Sequence, residues 1–335
     1  MLLLTAVAAV RLQFNKSLSM KILFQLDPIS SLNLEVDSSI ALAKEACKRG
    51  YDIYYHTPSD LILQGCDVKA HIKHLTFQDE QIIQQDYGTK DLKNFDIIFI
   101  RQDPPFDVNY ITNCQILALV KGPLFINNPN SIITHSEKIF AHKFSQYMPE
   151  TLISNNIAKI LEFLSLHQAS VIKPVNLSGG QGVELIKAND ASARDKINAL
   201  LNLTNTPIII QKFLPEVSYG DTRVLICCDK IIGQVLRIPP NNSITANLCS
   251  GGQEASAQLS NKQIQISNEI AKETNKNGLY FVGLDFIGEF LTEINVTSPT
   301  GIVHASRQMD LNLSSKIWDE LIKKFSAHKI SIQAS

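Results

Sequence analysis

The chain has 335 residues, enough for two or three domains at roughly 100–200 residues each. Hydrophobic residues make up 44% of it and charged residues 19%, a composition that excludes an intrinsically disordered chain. With 31 basic and 32 acidic residues there is no basic surplus to meet a phosphate backbone, so nucleic acid is not an expected partner.

The six cysteines (Cys47, Cys66, Cys114, Cys227, Cys228, Cys249) form no C-x-x-C pair and no metal-ligand spacing. They read as thiols of a reducing, cytoplasmic compartment. The opening MLLLTAVAAV is too short for a membrane span, which needs about 20 apolar residues. Arg11 and Lys16 follow this apolar run, whereas a secretory signal carries its basic residues ahead of it. Residues 1–19 therefore read as an extension, or a mis-assigned start, ahead of a fold that begins at Met20.

KILFQLDP (21–28) reads as a strand ending in an Asp-Pro turn. Residues 37–50 read as a helix capped by Asp37 or Ser38, with Ile40, Ala43 and Cys47 recurring and Gly50 at its end. YDIYYHT (51–57), FDIIFIR (95–101) and LFINN (124–128) read as further strands, and the unbroken apolar run before Arg101 suits a parallel strand buried on both faces. Strands alternating with helices imply an open α/β sheet over residues 20–130. Ligands of such sheets sit beyond the carboxyl ends of strands, which singles out Asp27, Arg101 and Asp103. Arg101 reads either as an arginine that caps a strand end or as the holder of a substrate carboxylate.

Ser136 to Tyr147 reads as a helix carrying Lys138 and ending before Met148-Pro149. ASVIKPV (169–175) is a strand, NLSGGQG (176–182) a glycine-rich turn, VELIKA a second strand and TPIIIQKFL (206–214) a third. Strand–loop–strand order differs from the strand–loop–helix of a Walker site. The N–H groups of Gly179, Gly180 and Gly182 either cradle phosphates or merely make a flexible turn. Lys173 favours the former, since a lysine inside an apolar strand is costly unless its ammonium meets an anion.

GDTRVLICC (220–228) and IIGQVLRIP (231–239) read as a hairpin with Arg237 near its far end, and residues 260–277 as an amphipathic helix. YFVGLDFIGEFLTEINVTSPTG (280–301) is a second hairpin, carrying Asp285, Glu293 and Asn295. Two carboxylates and an amide oxygen form a hard ligand set suited to Mg²⁺ held jointly with phosphates. Glu293 and Asn295 share one strand face. Asp285 joins them only if the connection around Ile287–Glu289 is a three-residue loop or contains a bulge; a two-residue turn puts it on the opposite face.

In order and content these segments resemble an ATP-grasp ligase, and within that fold the bacterial glutathione synthetases. The resemblance rests on DPISSLNLEVDSS (27–39), RQDPPFD (101–107), the Lys138 helix with MPET, IKP with the glycine loop, GDTRV (220–224), LRIP (236–239), FVGLDFIG and LTEINVTSPTG, and covers Met20 to about Lys324. It implies an α/β (α+β) chain in three parts: a Rossmann-like pre-ATP-grasp domain over 20–135, a small lid domain over 136–213 and a catalytic domain over 214–330. It also implies the ATP-dependent joining of γ-glutamylcysteine and glycine through an acyl phosphate, by a cytoplasmic homo-oligomer using Mg²⁺ or Mn²⁺. On this resemblance Lys138 and Lys173 contact the nucleotide phosphates beneath Gly179 and Gly180. Gln211, Phe213 and Leu214 border the adenine, and Asp221 accepts from the ribose. Asp285, Glu293 and Asn295 hold the metal, Arg223 steadies the transferring phosphoryl group, and Arg101 and Arg237 meet substrate carboxylates.

The chain also departs from the family pattern. Val36 replaces a lysine, Thr245 and Ala246 stand where an arginine is usual, Gln253 replaces an arginine, Val303 and His304 replace Arg-Glu, and Leu177 replaces a glycine. All but the last belong to the peptide side. A ligase with an altered acceptor, or a degenerate nucleotide-binding homologue, are therefore the alternatives.

Overall fold

In the computed structural model, which describes residues 19–78, 81–177, 179–240, 244, 246 and 251–333, these elements form three sheets. Residues 1–18 of the expected extension, with Ser178, Thr245 and Cys249, lie outside the described residues.

The N-terminal unit runs β1 (Lys21–Gln25), α1 (Ser38–Lys48), β2 (Asp52–His56), β3 (Leu61–Gln64), β4 (Asp67–Gln78), β5 (Gln81–Asp91), β6 (Ile97–Ile100), α2 (Val108–Leu117), β7 (Leu124–Ile126) and α3 (Pro129–Thr134). Asp37 caps α1, its Oδ1 accepting from Ile40 N at 2.8 Å. Strands β2, β1, β6 and β7 are parallel neighbours, as the apolar runs imply. Strands β3, β4 and β5 extend the sheet in antiparallel fashion, which the sequence reading does not anticipate. Val68, Ala70 and Ile72 alternate along β4 into one core, Leu75 enters the core on the opposite face beside Ile53, and a bulge leaves Tyr87 of β5 as the extra residue.

The second unit runs α4 (Glu137–Phe140), β8 (Thr151–Ser154), α5 (Ile157–His167), β9 (Ala169–Pro174), β10 (Glu184–Lys187), α6 (Ala193–Thr204) and β11 (Ile208–Lys212), with strand order β10-β9-β11-β8. The single helix expected over 136–147 is instead a short α-helix followed by 3₁₀ turns over Ala141–Tyr147, because Phe144 leaves helical geometry. Ile172, Ile208 and Ile210 bury one face of this sheet against Ile160 and Ile197. Period-two alternation therefore turns Val171, Lys173 and Gln211 to the other face.

The third unit runs β12 (Asp221–Cys227), β13 (Lys230–Ile238), β14 (Gln253–Ala255), α7 (Asn261–Lys276), β15 (Phe281–Ile287), β16 (Phe290–Asn295), α8 (Ile302–Met309) and α9 (Leu313–Gln333), with order β14-β13-β12-β15-β16. Val224, Leu284, Phe286 and Ile294 of this sheet share one core with Leu23 and Ile98 of the N-terminal sheet. Helix α9 closes the other side, where Trp318 is fully buried and its Nε1 donates to Leu42 O at 2.9 Å. None of the helices among the described residues is long and apolar enough to cross a membrane.

One buried group makes the N-terminal sheet pH-sensitive. His56 is 1% exposed; its Nδ1 donates to Thr57 O at 2.8 Å, and Nε2 has no partner. Burial pushes its pKa down to about 4, so the ring is neutral in the fold and takes up a proton more readily in the unfolded chain. Stability contributed by the neutral ring is full above pH 6.5 and falls by about 3 kcal/mol as the pH drops from there to about 4. Urea midpoints measured across that window should decline for the native chain and decline less for His56→Gln.

Candidate active site

The small sheet presents its polar face to the catalytic sheet. Lys173 Nζ donates to Gln211 Oε1 at 3.2 Å, and Gln211 Nε2 donates in turn to Thr151 Oγ1 at 2.8 Å. Burial lowers the Lys173 pKa, against the opposing pull of Glu293. An ammonium that has lost its water in this way has most to gain from a bound anion. Beyond β9 the loop residues Gly179, Gly180 and Gly182 have φ of +67°, +82° and +68°, the left-handed region that only glycine enters freely. Lys138 reaches the same place from α4: its Nζ donates to Leu177 O and lies 3.4 Å from Glu293 Oε1.

The facing sheet carries a chain of alternating charges. Asp221 and Arg237 are cross-strand partners, joined by bonds of 2.5 and 2.7 Å, and Arg237 Nη2 continues to Asp285 Oδ2 at 3.1 Å. Asp285 also receives Arg223 through Nε at 2.5 Å and Nη2 at 2.9 Å. Burial alone would raise the Asp285 pKa; the two guanidiniums overcome it and hold the carboxyl well below the usual range. Gly283 makes room for this, since a Cβ there would lie 3.1 Å from Arg223 Cδ.

The hairpin resolves the question of faces. Its turn is the two-residue kind, with Ile287 opposite Phe290, and taken alone it would put Asp285 on the wrong side. One extra residue, Thr292, then intervenes, so that Phe286 pairs with Leu291 but Asp285 with Glu293. Asp285, Glu293 and Asn295 consequently share a face with Asp221, Arg223 and Arg237. Asn295 Nδ2 donates to Asp285 Oδ2 at 3.1 Å, which turns its Oδ1 away from that carboxylate.

Between the two sheets lies a cavity of about 260 Å³. Lys138, Lys173, Gly179, Gly180, Gln211, Phe213, Leu214, Asp221, Arg223, Arg237, Asp285, Glu293 and Asn295 all line it. Arg101 is the exception. Expected to meet a substrate carboxylate, it lies outside the lining, is 4% exposed, and donates to Ser39 Oγ and Pro299 O. Asp221 and Arg237, expected to bind ribose and carboxylate, line the cavity but are bound to each other. Among the departures, Leu177 and Ala246 line it, whereas Val36, Gln253 and Val303 do not. His304 is paired with Glu254.

One contributor is absent from the sequence reading. Glu137 Oε1 accepts from Val296 N and Thr297 N, both at 3.1 Å, and from Thr297 Oγ1 at 2.6 Å, fixing the chain just past Asn295. Burial raises its pKa, and nearby Glu293 adds to the effect. A carboxylate directly beside Lys138 in a short helix was the available signal.

Comparison with known proteins agrees with this geometry. Residues 20–132 match the model of the prokaryotic glutathione synthetase N-terminal domain, and residues 137–310 that of the prokaryotic glutathione synthetase ATP-grasp domain. The glutathione synthetase of Rhodopseudomonas palustris is 36% identical over 311 residues, covering 92% of this chain and 99% of the relative. That of Bradyrhizobium diazoefficiens is 35% identical with the same coverage. Among solved structures, D-cycloserine synthetase DcsG superposes with a TM-score of 0.65 at 14% identity, covering 91% of this chain and 99% of its own. The ATP-grasp ligase PsnB complexed with minimal precursor, Mg and ADP does so at 0.59 and 13%, covering 91% and 98%. These two likenesses concern the fold. The chain belongs to the prokaryotic glutathione synthetases, ATP-dependent carbon–nitrogen ligases of the ATP-grasp fold.

Proposed function

We propose that the chain joins γ-glutamylcysteine to glycine, converting ATP to ADP and phosphate and forming glutathione, with the cavity residues in the roles that follow. One observation carries the assignment: a single cavity has lysines and a glycine loop on one wall, and three carboxylates, an amide and two arginines on the other.

Lys138, Lys173 and the N–H groups of Gly179 and Gly180 hold the nucleotide phosphates. Gln211, Phe213 and Leu214 border the base, and Asp221 faces the ribose. Asp285, Glu293 and Asn295 offer an all-oxygen set that fits Mg²⁺, or Mn²⁺ in its place, and would hold it. Such an ion supplies neutralisation of charge developing on the phosphoryl oxygens. Arg223 steadies the phosphoryl group as it passes to the cysteinyl carboxylate, and Arg237 meets a substrate carboxylate once its contact with Asp285 opens. Glycine's amine then displaces phosphate from the acyl phosphate. The glycine loop excludes water, which would otherwise hydrolyse that intermediate. In this reading residues 20–135 carry the peptide, 136–213 form the lid and 214–330 the reacting face, in a cytoplasmic homo-oligomer.

Phosphate release measured with ATP, Mg²⁺ and γ-glutamylcysteine should start only when glycine is added. Release that ignores glycine would assign a different acceptor. Nucleotide binding without turnover would leave a degenerate binding protein.

A further inference from the structure

Arg101 is the one expected site residue that the cavity leaves out, and its contacts run elsewhere. Its guanidinium lies over the Phe281 ring, 5.6 Å from the centroid. Nε donates to Ser39 Oγ at 2.9 Å and Nη2 to Pro299 O at 3.0 Å, Nη1 has no partner, and Ser298 Oγ donates back to Arg101 O at 3.2 Å. One residue further on, Thr300 O accepts from Arg223 Nη1 at 3.0 Å. Then Gly301 N and Ile302 N both donate to Ser38 Oγ, at 3.1 and 3.2 Å. Ser38 thereby caps α8 from another unit, since the N-cap residue Gly301 has no side chain to do so. Four successive residues between β16 and α8 are thus held from one side by the N-terminal unit and from the other by Arg223.

Arg223 leans on this segment through Thr300 O. Its other contacts go to Asp285, which is itself assigned to the cation, so Thr300 O is the partner without a second duty. We propose that Arg101, together with Ser38, is a positioning residue that fixes the Pro299–Thr300 segment against which Arg223 is aimed, and that it does not touch substrate. The proposal rests on the role given to Arg223 in phosphoryl transfer.

The test is kinetic, on full-length protein, with Arg101→Met, Ser38→Ala, Arg223→Lys and the Arg101→Met/Arg223→Lys double variant. Arg101→Met should lower kcat on the order of 10²-fold, as a misaimed group does, while the KM for γ-glutamylcysteine stays within about threefold. Calorimetric Mg-ADP affinity should be unchanged. The double variant should be little worse than Arg223→Lys alone, because both remove one aligned group. Ser38→Ala should lower kcat in the same direction by a smaller factor, and it serves alone if Arg101→Met does not fold. A raised KM at unchanged kcat would overturn the proposal and make Arg101 a direct carboxylate holder. Additive losses in the double variant would overturn it as well. Unchanged kcat in Arg223→Lys would overturn the role of Arg223 and this proposal with it, a result distinct from either of the others.

Discussion

Glu293→Ala is expected to lower glycine-dependent phosphate release by roughly 10³-fold or more, a transition-state loss of about 4 kcal/mol, while the protein stays folded. The side chain is 22% exposed and forms an ion pair with Lys138, whose ammonium keeps its bond to Leu177 O, so truncation leaves no void in a core. What disappears is one of the two carboxylates assigned to the metal. Nucleotide binding without metal should not weaken, because Lys138 and Lys173 lose their competing negative neighbour. Calorimetry with and without Mg²⁺ separates the two effects. Full turnover in this variant would sink the metal assignment.

Asp285→Ala should fail in a different way, losing stability as well as activity. Asp285 is 4% exposed and receives both Arg223 and Arg237. Removing it leaves two buried guanidiniums facing each other without their shared counter-charge, a change that typically costs about 3–5 kcal/mol. The denaturation midpoint should drop clearly, unlike that of Glu293→Ala, and turnover should vanish with it. A midpoint equal to that of the native chain would mean that the charge chain contributes nothing to the fold.

Much of this was legible in the residues. The parallel strands announced themselves as unbroken apolar runs, and Lys173 was conspicuous because a charge inside such a run has to be accounted for. The motifs were readable one by one, although the sheets that gather them at the cavity do not keep their chain order. Three things were hidden. Strands β3 to β5 carry a polar, half-exposed pattern, and β4 changes the face it buries after Ile72, so no single period-two run is long enough to be read. The face of Asp285 hung on a bulge that sequence parity could only offer as an option. The commitment of Arg101 to Ser39 and Pro299, and the pairing of Asp221 with Arg237, are long-range or cross-strand facts that a residue's type does not declare. The peptide-side departures are equally instructive: Val36, Gln253 and Val303 stand where the resemblance expects charges, yet none of them borders the cavity.

The bulge at Thr292 reconciles an odd spacing with an even turn. Seven residues separate Asp285 from Glu293, and a two-residue turn flanked by paired residues uses up an even number, so one residue has to stand outside the ladder. Thr292 is that residue, and a chain without it would still bring Glu293 opposite Asp285, now in unbroken register. What splits the ligand set is a slip at constant length: if Thr292 entered the ladder opposite Asp285, Glu293 and Asn295 would turn to the other face together. The hairpin is thus tolerant of losing a residue and intolerant of losing its irregularity.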